Sequence, residues 1–117
     1  MLNFSEILRG LTDTIILARL SEGDSYGYQI NKNISELSGN DFELKEATLY
    51  TSFRRLEESG FISSYWGDEN SGARRRYYSI TEDGKKVLLE NKVEWEKIQN
   101  LLDGLLHKAE HGQLIEK

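Results

Sequence analysis

Three consecutive arginines, Arg74, Arg75 and Arg76, form the only run of three basic residues in the chain. They follow a glycine-bounded segment, 67–72, and lead into tyrosine- and isoleucine-rich residues that are typical of a β-strand. Guanidinium groups bind phosphate oxygens through charge-assisted hydrogen bonds, so the cluster predicts a surface that contacts phosphate. Because side chains alternate along a strand, Arg74 and Arg76 should lie on one face and Arg75 on the other. The alternative is a solvated charged strand that binds nothing.

A second group of polar side chains lies on the segment 46–59, which has the apolar periodicity of a helix. The apolar edge, at +4 and +3 spacing, consists of Leu49, Phe53 and Leu56. The remaining surface offers groups that can hydrogen-bond to bases or to phosphate, namely Thr48, Tyr50, Thr51, Arg54 and Arg55. The alternative is an ordinary exposed helix face whose arginines pair with Glu57 or Glu58, and Arg54 lies four residues before Glu58.

These two clusters need a scaffold, and the hydrophobic periodicity predicts helices with a single hairpin. The predicted helices cover residues 4–20, 26–37, 46–59 and 82–106, and the predicted strands cover residues 61–66 and 73–80. Ser25 and Thr81 are expected to cap the second and the last helix. A helix for the major groove with a basic hairpin beside it makes a winged helix-turn-helix, so we predict this mostly α fold with a small β-hairpin. Tyr26 either reaches a phosphate through its hydroxyl or packs half-buried.

The predicted last helix carries two interleaved seven-residue series, which is the pattern of a coiled-coil contact. The series are Leu88, Trp95 and Leu102, and Asn91, Ile98 and Leu105. A helix of this length spans about 37 Å, more than so small a domain can cover, so the pattern predicts a homodimer. We therefore expect residues 1–81 to bind DNA, with Leu8 and Leu11 also at the dimer interface. Residues 82–117 would form a C-terminal dimerisation helix and tail within the same compact unit.

Two further features of the sequence permit a ligand. Trp95 either fills the dimer contact or forms an aromatic wall for a planar small-molecule effector, with Phe4 and Ile98 as neighbours. His107 and His111 are four residues apart and could share a metal ion on one helix face. No third ligand accompanies the histidines, so we predict no metal site.

Composition restricts the class of protein further. The 117 residues suffice for one domain, and the absence of cysteine excludes disulfides and cysteine-zinc sites. No apolar run is long enough for a membrane span and no signal peptide is evident, so we expect a cytoplasmic protein. The net charge is −5, but residues 61–81 carry +1 and residues 82–117 carry −2, so charge location permits DNA binding. With no catalytic pattern or phosphate-binding glycine loop, we predict neither an enzyme nor a cofactor.

Three motifs, in this order, resemble those of the PadR family of bacterial transcriptional regulators. The opening of the second helix is similar in Ser25-Tyr26-Gly27-Tyr28. The recognition-helix signature is similar in Thr48-Leu49-Tyr50, Arg55-Leu56-Glu57 and Gly60. The exit from the wing is similar in Arg75-Arg76-Tyr77-Tyr78, Ile80-Thr81 and Gly84. The resemblance covers about residues 10–88 and is specific because the motifs keep their order and spacing.

The resemblance implies a dimeric repressor that releases promoter DNA when a small molecule binds. The single C-terminal helix is similar to that of the smaller subgroup, whose multidrug-responsive members stack drugs on a tryptophan of this helix. Two positions depart from the usual pattern, because Thr51 stands where the family often has proline and Arg76 where it often has lysine. The function we expect is sequence-specific DNA binding. The rival is a winged-helix module that binds another protein without specific DNA binding.

Overall fold

The computed structural model describes residues 3–67 and 74–115, with side chains at residues 3, 6–67 and 74–107. The elements are α1 (Phe4–Arg9), α2 (Thr12–Ser21), β1 (Ser25–Tyr26), α3 (Gly27–Leu37), α4 (Glu46–Glu58), β2 (Ile62–Trp66), β3 (Arg76–Ile80) and α5 (Glu82–Ile115). The predicted fold class is confirmed: the chain is mostly helical, with a small antiparallel sheet and a long C-terminal helix. In the described ranges, no helix is both long and apolar enough to cross a membrane.

The prediction of one helix over residues 4–20 is wrong, because the helix is interrupted between Arg9 and Thr12. Gly10 forms the C-cap of α1, and glycine disfavours a helix interior. The Thr12 hydroxyl then donates a hydrogen bond to the Arg9 carbonyl at 2.8 Å. Two helices result, so α1 can lie at a different angle from α2.

The sheet has a third strand that the sequence did not predict. β1 is only two residues long and pairs with β3, so that the strand order is β1-β3-β2. Its register joins Ser25 to Tyr78 and Tyr26 to Tyr77. Ser25 is therefore not the N-cap of α3: Tyr26 takes that position, and the Ser25 hydroxyl donates instead to the Gln29 side chain at 2.8 Å.

The core lies where α2, α3 and α4 meet the inner face of the sheet. Its largest fully buried aromatic is Phe53 of α4, which stacks on Tyr78 of β3 with ring centroids 3.9 Å apart. The aliphatic members come from every neighbouring element and include Ile16, Leu17, Leu20, Ile30, Ile34, Leu49, Leu56 and Ile62. Each such side chain contributes about 1.5–3 kcal/mol when buried, so this packing fixes α4 against the rest of the domain.

Two side chains, Ser38 and Asn31, hold the turn between α3 and α4. The Ser38 hydroxyl donates to the Phe42 carbonyl and accepts from the Phe42 N–H, both at 3.0 Å. The Asn31 amide donates to the Leu44 carbonyl at 2.7 Å and accepts from the Leu44 N–H at 2.8 Å. This pair replaces a backbone ladder across the turn, and it sets where α4 begins.

The start of α5 sits on the end of α4. Thr81 accepts a hydrogen bond from the Gly84 N–H at 3.0 Å, which confirms it as the capping residue, and its hydroxyl donates to the Gly60 carbonyl at 2.7 Å. A Cβ atom at Gly84 would lie only 2.1 Å from the Phe61 carbonyl oxygen. We call these contacts among Gly60, Phe61, Thr81 and Gly84 the α5 junction.

Candidate nucleic-acid interface

The helix α4 divides as its sequence predicts. Leu49, Phe53 and Leu56 are buried, and Ser52 joins them at 1% exposure. The polar residues face outward to different extents: Tyr50, Thr51, Arg54 and Arg55 are exposed and Thr48 is half-buried. All five candidate residues therefore have surface that a ligand could reach.

Tyr50 is oriented by two neighbours. Its ring meets the edge of Phe53 with centroids 5.6 Å apart. Its hydroxyl lies over Gly27 of α3, where a Cβ atom would be 2.7 Å away. Because glycine has no Cβ atom, Gly27 leaves room for the Tyr50 hydroxyl and allows α4 to approach α3 closely.

Arg55 has a partner that sequence spacing does not reveal. Its guanidinium donates to both carboxylate oxygens of Asp13 in α2, at 2.9 and 2.6 Å. This hydrogen bond, with the attraction of the charge, raises the pKa of Arg55. The two residues are 42 positions apart, so only the tertiary fold brings them together.

The arginines of the wing, by which we mean β2, β3 and the segment between them, lie on both faces of the sheet. Arg74 and Arg76 lie over the Trp66 ring, 5.1 and 5.8 Å from its centroid, whereas Arg75 lies 4.8 Å from the centroid of Tyr26. This confirms the predicted alternation. Residues 68–73, between β2 and β3, lie outside the described residues. They include Ala73, where the second strand was predicted to start.

A three-residue contact joins the wing to α4. Ser64 of β2 donates to the Glu57 carboxylate at 2.6 Å and accepts from Arg76 at 2.8 Å. Arg76 also lies 3.5 Å from the other Glu57 oxygen. We call this the Glu57–Ser64–Arg76 contact; the sequence predicted no role for Ser64, and it offered Glu57 only as a partner for the arginines of its own helix.

On the outer face of the sheet, three tyrosines, one from each strand, contact one another in a row. Tyr26 meets Tyr77 edge to face at 5.4 Å, and Tyr77 stacks on Tyr65 at 5.6 Å. Tyr65 donates to Asp24 at 2.6 Å, which raises the pKa of the tyrosine. Of the two interpretations of Tyr26, its half-buried ring and its position under Arg75 favour packing.

A cleft of about 330 Å³ lies between the corner where α1 meets α2 and the face of α4 from Ala47 to Arg55. Its lining residues are Arg9, Thr12, Ala47, Thr48, Thr51, Ser52 and Arg55. Arg9 is the one charged lining residue that the sequence analysis did not consider, because it is isolated in the chain. Its closeness to Thr48 depends on the break at Gly10.

Comparison with known proteins decides what this surface belongs to. The sequence profile of the PadR-like family of transcriptional regulators matches residues 16–90, which is well over half of the chain. The chain belongs to the PadR-like family. PadR-family proteins are DNA-binding transcriptional regulators and not enzymes, so this chain is a DNA-binding regulator with a winged-helix fold.

Solved structures support the same assignment. A transcriptional regulator from Clostridium thermocellum is 45% identical, with a TM-score of 0.80 over 87% of this chain and 96% of that one. A PadR family transcription regulator from Clostridium difficile is 39% identical, with a TM-score of 0.75 over 83% and 99% of the two chains.

The negative transcriptional regulator PadR of Bacillus subtilis is 27% identical over 73 residues, which cover 62% of this chain and 40% of that protein.

The residues predicted for a dimer interface of this PadR-like regulator have different surroundings. Leu88 is only 5% exposed and belongs to the chain's own core, so it offers a partner almost no surface. Leu8 and Leu11 are half-buried. The four remaining predicted residues are exposed large apolar side chains, namely Trp95, Ile98, Leu102 and Leu105.

The residues predicted for ligands are only partly described. Trp95 and Ile98 are one turn apart on the exposed part of α5, whereas the side chain of Phe4 lies outside the described ones. His111 also lies outside them. Among the described side chains, no three metal-binding residues come together.

Proposed function

We propose that this PadR-like regulator is a homodimeric repressor that acts in the cytoplasm on operator DNA. In this proposal, α4 of each subunit enters the major groove, and the wing contacts the DNA backbone beside it. Two such helices read half-sites about one helical turn, or roughly 34 Å, apart. A dimer bound tightly to the operator would then block transcription from the neighbouring promoter.

The Glu57–Ser64–Arg76 contact carries the DNA-binding part of the proposal. It fixes the basic wing relative to α4 through a bridging hydroxyl, so the two basic clusters belong to one rigid surface. The residues we propose to contact DNA are Thr48, Tyr50, Thr51, Arg54 and Arg55 from α4, and Arg74, Arg75 and Arg76 from the wing. Tyr26 contributes by supporting Arg75 from beneath.

The exposed stripe of α5 supports the dimer. Trp95, Ile98, Leu102 and Leu105 follow heptad spacing and expose apolar surface along one side of the helix. Exposed apolar surface of this extent marks a protein contact in most proteins. In this arrangement residues 1–81 bind DNA, and residues 82–117 form the dimerisation helix and tail. The description of the Bacillus subtilis relative as a negative regulator favours repression.

Trp95 supports an effector step. A planar aromatic molecule that stacks on Trp95 beside Ile98, between two copies of α5, would favour a different separation of the two α4 helices. By linkage, it would lower operator affinity by the same factor by which DNA lowers its own. If a panel of planar aromatic compounds changes neither tryptophan fluorescence nor operator affinity, this step fails for those compounds.

A salt titration tests the DNA-binding proposal. Binding to the DNA upstream of the protein's own gene is measured between about 50 and 200 mM salt, with random DNA alongside. The double variant Arg74→Ala/Arg75→Ala should make the slope of log affinity against log salt shallower by about 3.6, since the dimer loses two arginines from each wing and each lost phosphate contact contributes about 0.9. The matched control is Lys86→Ala/Lys97→Ala, which removes the same charge from exposed positions of α5.

The outcomes separate the proposal from its rival. Tight, salt-sensitive binding that exceeds binding to random DNA, with a reduced slope only in the arginine variant, supports the DNA-contacting wing. An unchanged slope in the arginine variant removes the wing from the interface. Wild-type binding equal to that of random DNA would favour a winged-helix module that binds another protein.

A further inference from the structure

We propose that the cleft between α1 and α4 is a seat for a DNA backbone phosphate, and that Arg9 is its principal charged ligand. The inference rests on the proposed function, because it adds a third contact region to the wing and α4. It also gives α1 a role in DNA binding besides any role in the dimer.

The lining of the cleft suits an anion. It consists of two arginines, three threonines, a serine and an alanine, and no carboxylate side chain is part of it. Its volume of about 330 Å³ is roughly ten times the 30 Å³ that one water molecule occupies in the liquid, so a phosphate group fits with hydrating water.

Some of these polar groups are already used within the chain. Thr12 donates to the Arg9 carbonyl, and Ser52 accepts from Arg55 at 3.2 Å. Arg55 also binds Asp13, whose carboxylate offsets its charge. Thr12, Ser52 and Arg55 are therefore already held by hydrogen bonds, and the charge of Arg55 is offset, before any ligand binds.

The other polar groups remain available. Among the residues that the structure describes, the side chains of Arg9, Thr48 and Thr51 have no hydrogen bond or ion pair. Arg9 and Thr51 are exposed and Thr48 is half-buried, so all three can be reached from solvent. Because Asp13 offsets Arg55, the uncompensated positive charge of the cleft comes from Arg9.

The position of the cleft favours the DNA backbone over a free anion. Thr48 and Thr51 belong both to the cleft and to the outward face of α4 that we place in the major groove. Phosphates line the edges of that groove, and most hydrogen bonds between proteins and DNA go to phosphate and sugar. The acidic groups near the cleft include Asp13, which Arg55 binds, and Glu43, which lines an adjoining cavity with Arg9 and Lys45.

Replacement of Arg9 with glutamine tests the proposal. The operator-binding salt slope of Arg9→Gln should become shallower by about 1.8, since the dimer loses one phosphate contact from each subunit, and affinity should fall roughly a hundredfold at moderate salt. Affinity for random DNA should fall by a similar factor, because phosphate contacts carry no sequence information. Lys97→Gln, the same charge change at an exposed position on α5, should leave both quantities unchanged. Circular dichroism and thermal unfolding of each variant check that the fold is intact.

A second variant tests the hydroxyls. Thr51→Val keeps the shape of the side chain and removes its donor, so it should weaken binding several-fold while the salt slope stays that of the wild type. An effect on the slope in Arg9→Gln with none in Thr51→Val is the signature of one charged and one neutral ligand.

Three results would overturn the proposal or move it elsewhere. If wild-type binding depends on salt and Arg9→Gln has the wild-type slope, the phosphate seat is wrong while the DNA-binding function stands. If the wild type shows no specific, salt-sensitive binding, the proposed function itself fails. If Arg9→Gln abolishes binding of inorganic phosphate, measured by calorimetry at constant ionic strength, but leaves the DNA slope unchanged, the cleft is a free-anion site.

Discussion

The two ends of α5 consist of similar residues but have different surroundings. From Glu82 to Asn91 the helix lies against the rest of the chain: Gly84 and Leu88 are buried, and Asn91 donates to Thr14 of α2 at 3.0 Å. From Lys92 to His107 every described side chain is exposed, including large apolar ones. The first part is stabilised by the fold of one chain, whereas the second shows no buried side chain among those that the structure describes.

In the dimer that we propose, one helical stripe is used twice. Leu88 and Asn91 belong to the same two heptad series as Trp95, Ile98, Leu102 and Leu105. The stripe packs inside the chain at its start and, in the dimer that we propose, packs between chains further along. Predicting an interface from the heptad alone therefore included one residue too many, namely Leu88.

The largest effect is expected on the exposed part of the stripe. Leu102→Glu places a charge in the proposed contact of both subunits, so it should raise the dimer dissociation constant about a thousandfold, or about 4 kcal/mol. Sedimentation over a range of concentrations measures this. Leu89→Glu is the control, because Leu89 is more exposed than Leu102 but lies about 140° around the helix from it. Equal effects of the two changes would contradict the proposed stripe.

The second effect is expected at the α5 junction. Gly84→Ala should lower the free energy of unfolding by about 3 kcal/mol, because its Cβ atom would meet the Phe61 carbonyl, which is backbone and cannot rotate away. Urea denaturation provides the measurement. At Gly104, an added Cβ atom would lie more than 4 Å from every described atom outside the adjoining backbone of its own helix, so Gly104→Ala should instead stabilise the helix by up to about 1 kcal/mol. A junction variant as stable as the wild type would show that the contact is loose.

The smallest effect is expected at the contact between the wing and α4. Ser64→Ala removes the hydroxyl that bridges Glu57 and Arg76 without changing charge, so operator affinity should fall about fivefold, or about 1 kcal/mol. The salt slope should remain that of the wild type, since no phosphate contact is lost. Ser63→Ala, on the opposite face of β2, is the control. A changed slope would mean that loss of the hydroxyl also moves Arg76 away from the phosphate that we propose it contacts.

Sequence patterns located the elements whose stability depends on neighbours in the chain. The apolar edge of α4, the Thr81 cap and the alternation of the wing arginines all follow from spacing of a few residues, and the structure has each of them. The fold class followed from the order of these elements.

The sequence did not predict features that depend on distant partners. β1 is a strand only because β3 lies beside it, and that pairing also prevents Ser25 from capping α3. Arg55 finds Asp13 in another helix, and Arg9 reaches the cleft only because α1 and α2 separate at Gly10. No local periodicity records these contacts, so the cleft could be found only in three dimensions.

The exposed part of α5, from Lys92 onward, also links dimer formation to the helix content of the protein. A helical segment of this length is marginally stable in water without packing partners. At concentrations below the dimer dissociation constant, the last turns should therefore melt, so that the mean helicity per residue rises as protein is added. The cellular copy number of such a chain would set not only how many dimers exist but how much of each polypeptide is ordered.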